Sequence, residues 1–201
     1  MTGAILAGGK GTRMGANKAF LEIGGRPLIE AVLEKVEGIF DKLFIVANES
    51  HLYEYLKIEL FQDLIPNKGS LGGIYTALNK ASSPQTFCIA CDMPFIEPAF
   101  IRYMMEGASN YEVVIPRSPD GLEPLHAIYS KSCLPYVERL LGVGDLKILH
   151  FFPEVRVKTL EREEIEPFDP YGMLFFNINT PEDLERARGH WQMLKEKTAF
   201  L

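Results

Sequence analysis

The chain opens Gly3-Ala4-Ile5-Leu6-Ala7-Gly8-Gly9-Lys10-Gly11-Thr12-Arg13-Met14-Gly15, and this stretch decides how the rest is read. Gly3–Leu6 is a short apolar run ending in glycines, the pattern of a buried first strand. Glycines at 8, 9, 11 and 15 let backbone amides approach phosphate oxygens without a Cβ clash, giving an anion-binding concavity. Arg13 and Lys18 are the cations within reach of it, able to neutralise a triphosphate and stabilise departing pyrophosphate. The loop is no Walker A, because Ala16 follows Gly15 where Lys-Ser/Thr is needed. It also lacks the third glycine of the dinucleotide fingerprint, since Met14 stands there.

Outward from the loop, strand and helix patterns alternate. Pro27 opens an apolar helical face of Leu28, Ile29, Val32, Leu33 and Val36. Leu43–Val46 reads as a strand, Leu52–Lys57 as helical, Leu71–Lys80 as a helix entered from Gly69-Ser70, and Thr86–Ala90 as a third strand. Beyond these come a helix over Pro98–Met105, a strand at Val113–Ile115 and a turn over Ser118–Glu123. An antiparallel strand at Leu125–Tyr129, a helix at Leu134–Leu141 and a strand at Val155–Thr159 follow. Phe175–Asn179 is read as a final strand, before a helix capped by Thr180 with Pro181 at its first position. The expected fold is α/β: one Rossmann-like three-layer domain over 1–201, with a mostly parallel central sheet and an antiparallel addition. Ligands of such sheets bind beyond the carboxyl ends of the strands, where Gly8, Asn48, Asp92 and Asn177 are expected.

Bulk properties narrow the function class. The 201 residues suit one compact domain. Net charge is −6 with a pI near 5.3, which gives no electrostatic footprint for nucleic acid. No apolar run approaches the ~18 residues that span a bilayer. With three cysteines, too few for a disulfide framework, a cytoplasmic location is expected. Cys88 and Cys91 form a C-x-x-C, but a strand points residues three apart to opposite faces, so buried structural thiols are expected.

Several polar residues stand where chemistry is expected. Asp92, in Cys91-Asp92-Met93-Pro94, follows an apolar strand; it either holds Mg²⁺ bridging to phosphates or caps the next turn. Gly72, in Gly69-Ser70-Leu71-Gly72-Gly73, lets backbone approach a flat base, or packs a helix entry closely. Asn48 and Asp63 could read base or ribose edges, or cap turns. Asn177 and Asn179 share one face if their segment is a strand, and could hold an acceptor or a metal. His126, in Glu123-Pro124-Leu125-His126-Ala127, contacts a substrate phosphate or is a hydrogen-bonded strand histidine. Arg117 meets an anion or is solvated. Acyl-transfer chemistry lacks its G-x-S-x-G elbow.

The glycine loop, Cys91-Asp92-Met93-Pro94 and Asn177-Ile178-Asn179-Thr180-Pro181 together resemble the molybdenum cofactor guanylyltransferases, within the nucleotidyltransferases that include sugar-phosphate enzymes. The resemblance runs from Gly3 to about Ala187. Position by position it implies GTP contacts from Leu6, Ala7, Gly8, Lys18, Asn48, Asp63 and Asp92, with Gly9, Gly11 and Gly72 completing the nucleotide site. It further implies Mg²⁺ at Asp92, catalytic roles for Arg13, Lys18 and Asp92, and acceptor binding at Asn177 and Asn179. A GTP-binding half would cover about 1–95 and an acceptor half about 96–190. Ser70 stands where the family usually has proline. The implied reaction joins GMP from GTP to a molybdopterin-type cofactor, releasing pyrophosphate. Transient contact with other cofactor-biosynthesis proteins or recipient apo-enzymes would follow. Alternatives are CTP as donor, a sugar or phospholactate phosphate as acceptor, or a non-catalytic nucleotide sensor or cofactor carrier.

Overall fold

A computed structural model describes residues 1–8 and 17–199, the side chains of 198 and 199 apart. Its centre is an eight-stranded sheet: β1 (Thr2–Leu6), β4 (Lys42–Val46), β5 (Glu59–Phe61), β6 (Gln85–Ala90), β7 (Val113–Ser118), β8 (Gly121–Leu122), β9 (His126–Ser130) and β10 (Val157–Leu160). A separate two-stranded hairpin is formed by β2 (Glu22–Ile23) and β3 (Arg26–Pro27). The sheet order is β10-β7-β9-β6-β1-β4-β5, with β8 paired to β7. β9 runs antiparallel to both β6 and β7, and the other pairs along that order are parallel. The α/β class, the mostly parallel sheet and the antiparallel addition are therefore as the sequence predicts.

Period-2 alternation along the buried strands separates two cores. Ile5, Ile45, Phe87, Ile89, Val114 and Ile128 point to one layer, where α1 (Leu28–Val36) and α3 (Pro98–Glu106) cover them. Ala4, Leu6, Phe44, Val46, Cys88 and Tyr129 point to the other, under α2 (Gly69–Lys80) and α4 (Leu134–Val143). Cys88 and Cys91 fall in opposite layers as buried free thiols, and burial pushes Cys91 up to about 12. Neither thiol is available for redox or metal chemistry at neutral pH.

A third cluster joins the β2–β3 hairpin to the C-terminal helix. Ile23 and Leu28 pack with Phe95, Ile178, Leu184 and Ala187, the last two on α6 (Pro181–Ala199). A short helix, α5 (Arg162–Ile165), follows β10. No helix among the described residues is long and apolar enough to cross a membrane.

Among the differences from the sequence reading, three bear on the carboxyl edge of the sheet. The edge strand β5 is not expected, because three residues are too few to show alternation. The Ser118–Glu123 turn is tightened into the β7–β8 hairpin, with Gly121 at φ +127°. Phe175–Asn179 is no strand. Both edges of β6 are already paired, to β1 and β9, so this segment crosses the strand ends instead. Asn177 is accordingly not at a strand end.

Candidate active site

β1 sends its connection towards β4, while β6 sends its own through α3 towards β7. The carboxyl ends of these adjacent strands therefore open a crevice, the general ligand position in open α/β sheets. Gly8 lies just past β1, Asn48 past β4, Asp63 past β5 and Asp92 past β6. The unexpected strand β5 is what brings Asp63 to this row.

On one side of the crevice, Asn48 Nδ2 donates to Asp63 Oδ2 at 2.9 Å. Partial burial raises the Asp63 pKa, and the Asn48 amide partly offsets that. A Cβ built on Gly8 would stand 3.7 Å from Asn48 Nδ2 and 3.9 Å from Asp63 Oδ2, so the glycine leaves this pair uncovered. Leu6 is buried below, and Gly73 of α2 packs on it, a Cβ there meeting Leu6 Cδ1 at 3.4 Å. Gly72 is explained by packing: a Cβ would meet Lys68 Cβ at 2.8 Å and the Ile65 carbonyl at 3.3 Å.

On the other side, Lys18 joins two elements far apart in sequence. It begins a 3₁₀ turn, Lys18–Phe20, whose cap Asn17 accepts from Ala19 N at 3.1 Å. Lys18 Nζ donates to Asp92 Oδ2 at 3.1 Å and to Asn179 Oδ1 at 2.6 Å. The Lys18 and Asp92 side chains are 23% and 18% exposed, so their attraction is screened less than that of a surface pair. Ile178 N donates to the Asp92 carbonyl at 3.1 Å, which hangs the 175–179 segment on the end of β6. Asp183 then accepts from Asn179 N and Thr180 N, while Thr180 Oγ1 accepts from Asp183 N, fixing the start of α6. Asn177 does not join Asn179 at Lys18; its Nδ2 donates to the Phe175 carbonyl at 3.2 Å.

The sequence reading missed Tyr53. It is fully buried, and burial raises its pKa to about 12. Its hydroxyl donates to the Ala7 carbonyl at 3.3 Å and accepts from Asn17 Nδ2 at 3.2 Å. One phenol thus ties the residue entering the glycine loop to the residue leaving it. The loop residues Gly9, Gly11, Arg13 and Gly15 lie outside the described residues.

His126 needs correction. Its side chain is fully buried, out of reach of a substrate phosphate, and both ring nitrogens lack hydrogen-bond partners among the described residues. Phe87, Phe100 and Phe175 surround it at ring-centroid distances of 5.2, 5.8 and 5.3 Å, and burial lowers its pKa to about 3. The apolar layer between β9 and α3 is filled at that point, and the imidazole serves as packing. Arg117 pairs with Glu161 at 3.2 Å on the surface.

Among the described residues no cluster of three or more His, Cys, Asp or Glu could cage a metal. A single carboxylate at a phosphate site is nonetheless what Mg²⁺ requires, since it keeps water and substrate phosphates as its other ligands. Asp92, with one oxygen engaged by Lys18, fits that description.

Residues 3–156 match the family model of the MobA-like NTP transferase domain. A probable molybdenum cofactor guanylyltransferase of Pelotomaculum thermopropionicum is 40% identical, the match covering 93% of this chain and 91% of that one. The molybdenum cofactor guanylyltransferase of Desulfosudis oleivorans is 39% identical over 93% of this chain and 94% of its own. The crystal structure of molybdopterin-guanine dinucleotide biosynthesis protein A from Archaeoglobus fulgidus superposes with a TM-score of 0.84 at 34% identity, covering 96% of this chain and 100% of that one.

Proposed function

The chain belongs to the family of MobA-like NTP transferase domains, and on that premise we propose that it transfers GMP from GTP to the terminal phosphate of a molybdopterin-type cofactor. The observation that carries the reading is Lys18 Nζ bridging Asp92 Oδ2 and Asn179 Oδ1, because it joins the nucleotide side to the C-terminal segment.

In this reading the triphosphate lies along the glycine loop, with the base and ribose towards Asn48 and Asp63. Guanine offers N–H donors, and the Asp63 carboxylate accepts them. The acceptor's phosphate oxygen attacks the α-phosphorus in line. A new phosphorus–oxygen bond forms, the bond from the α-phosphorus to the bridging oxygen breaks, and pyrophosphate carries away the electron pair. Such chemistry needs positioning and charge neutralisation more than a protein nucleophile. Lys18 supplies a cation at the phosphates, and Arg13 a second. Asp92 orients Lys18 and offers its remaining oxygen to Mg²⁺. When bound, Mg²⁺ supplies Lewis-acid polarisation and neutralises phosphate charge. Asn177 and Asn179 lie where the acceptor enters.

The test is a competition among all four triphosphates, with molybdopterin and a sugar 1-phosphate as alternative acceptors and pyrophosphate as the readout. Pyrophosphate released with GTP and molybdopterin is the expected result. Preferential use of CTP, or of the sugar phosphate, refutes the guanylyl assignment. No release with any pair favours a nucleotide sensor or carrier.

A further inference from the structure

The β7–β9 side of the crevice carries a carboxylate that neither the nucleotide nor the Lys18 cluster uses. Glu123 lies between β8 and β9. Its N–H donates to the Pro116 carbonyl at 3.0 Å, extending the hairpin by one step, and its carbonyl accepts from His126 N at 3.0 Å. Facing Pro116 across the hairpin, it shares a sheet face with Ser118, two residues along β7. Ser118 opposes the effect of burial on the Glu123 carboxylate, while the Ser118 hydroxyl itself donates to the Gly121 carbonyl at 3.3 Å. Two residues later the Leu125 carbonyl accepts from Ala90 N at 2.9 Å, and Ala90 precedes Asp92 by two. Glu123 therefore stands one strand from Asp92 at the same carboxyl edge. Asn48 and Asp63 lie on the opposite side, beyond β6 and β1.

Its surroundings limit what it can receive. The side chain is half-buried, and burial is the main influence raising its pKa. No cation of the described residues pairs with it, and the charged neighbour that affects it is Asp120, of like sign. A phosphate is repelled there. A partly desolvated carboxylate without a cation is costly unless N–H or O–H donors reach it, and the neighbouring Ser118 hydroxyl is engaged at the Gly121 carbonyl. Its two oxygens can accept a parallel pair of hydrogen bonds.

We infer that Glu123 selects the ring of the acceptor, its carboxylate accepting from the paired ring N–H and exocyclic amino group of a 2-amino-4-oxopyrimidine edge. A pterin carries that edge; a 2,4-dioxo analogue replaces the amino donor by an acceptor oxygen. The inference rests on the reading above that the acceptor is a pterin phosphate.

The experiment titrates the full chain, saturated with GTP and Mg²⁺, with fluorescent 6-hydroxymethylpterin and with 6-hydroxymethyllumazine. Neither probe bears a phosphate, so no bond forms and the outcome is independent of whether guanylyl transfer occurs. The wild type is expected to bind the pterin about tenfold or more tightly than the lumazine. Glu123→Gln should bring the two within about twofold while GTP affinity holds, because the amide places a donor against a donor. Glu123→Ala carries the same readout should the amide variant fail to fold. A wild-type ratio near one, an unchanged ratio in the variants, or no pterin binding overturns the inference.

Discussion

The two sides of the crevice are built differently. The side proposed for the nucleotide is made of strand ends: β1, β4 and β5 run parallel and deliver Gly8, Asn48 and Asp63 side by side. The side proposed for the acceptor is made of a hairpin and an irregular segment. Glu123 follows β8, and Asn177 and Asn179 sit on backbone whose tie to the sheet is Ile178 N to the Asp92 carbonyl. Lys18 and Asp92 are where the sides meet. In the proposed reading the parallel strand ends hold the nucleotide and the separately anchored segment meets the acceptor, an arrangement in which the acceptor side can vary on one scaffold.

Breaking the junction should have the largest effect. Asp92→Ala removes the oxygen proposed to hold Mg²⁺ and frees Lys18, and pyrophosphate release should fall by about 10³-fold, on the scale of losing a preorganised charged group. Wild-type rates in this variant would show that the two sides meet elsewhere. Lys18→Ala should lower kcat/KM for the triphosphate by about 10²-fold, losing charge-assisted contacts at the phosphates; an effect confined to the acceptor's KM would assign Lys18 to the other side.

The nucleotide side is probed next. Asp63→Asn keeps an acceptor for the Asn48 amide but removes the charge, and the KM for GTP should rise about tenfold. Because the folded pKa of Asp63 lies above its ordinary value, its stabilising contribution is complete below the ordinary carboxylate range and is lost as pH rises through the folded value. The neutral variant should therefore have the higher thermal midpoint at pH 7 and no advantage in strong acid. A lower midpoint at pH 7 would mean that Asp63 is structural.

The smallest effects belong to the buried supports. Tyr53→Phe leaves Ala7 and Asn17 unlinked, and should cost about 1–2 kcal/mol in chemical denaturation with a several-fold rise in GTP KM. His126→Phe removes two buried unpartnered nitrogens and should stabilise by about 1 kcal/mol. Its pKa is lowered to about 3 from 6.5, so the stability it contributes is present above pH 6.5 and is lost as pH falls towards 3. The phenylalanine variant should lack that part of the acid sensitivity, read from denaturation midpoints across that window.

The same contrast governs what can be read from sequence. Gly8, Asn48 and Asp92 follow apolar runs long enough to be read as strands, so their place at the ligand edge was legible. Asp63 was a candidate without a place, because the three residues of β5 carry no alternation. Asn177 and Asn179 were given a strand, since Phe-Phe-Asn-Ile-Asn alternates; the exclusion comes from β9, which occupies the edge of β6 and is visible only in the assembled sheet. Tyr53 and Glu123 carry no local signal. Their significance lies in contacts with residues far along the chain or across a hairpin.

Both sides are proposed to serve one transfer reaction. The most direct measurement follows GTP labelled at its α-phosphate with purified molybdopterin and Mg²⁺, scoring label in the pterin product against pyrophosphate released. Label appearing in the pterin in one-to-one proportion with pyrophosphate, and only with GTP, is the predicted result. Label remaining in the nucleotide, or passing equally well from CTP, would contradict it.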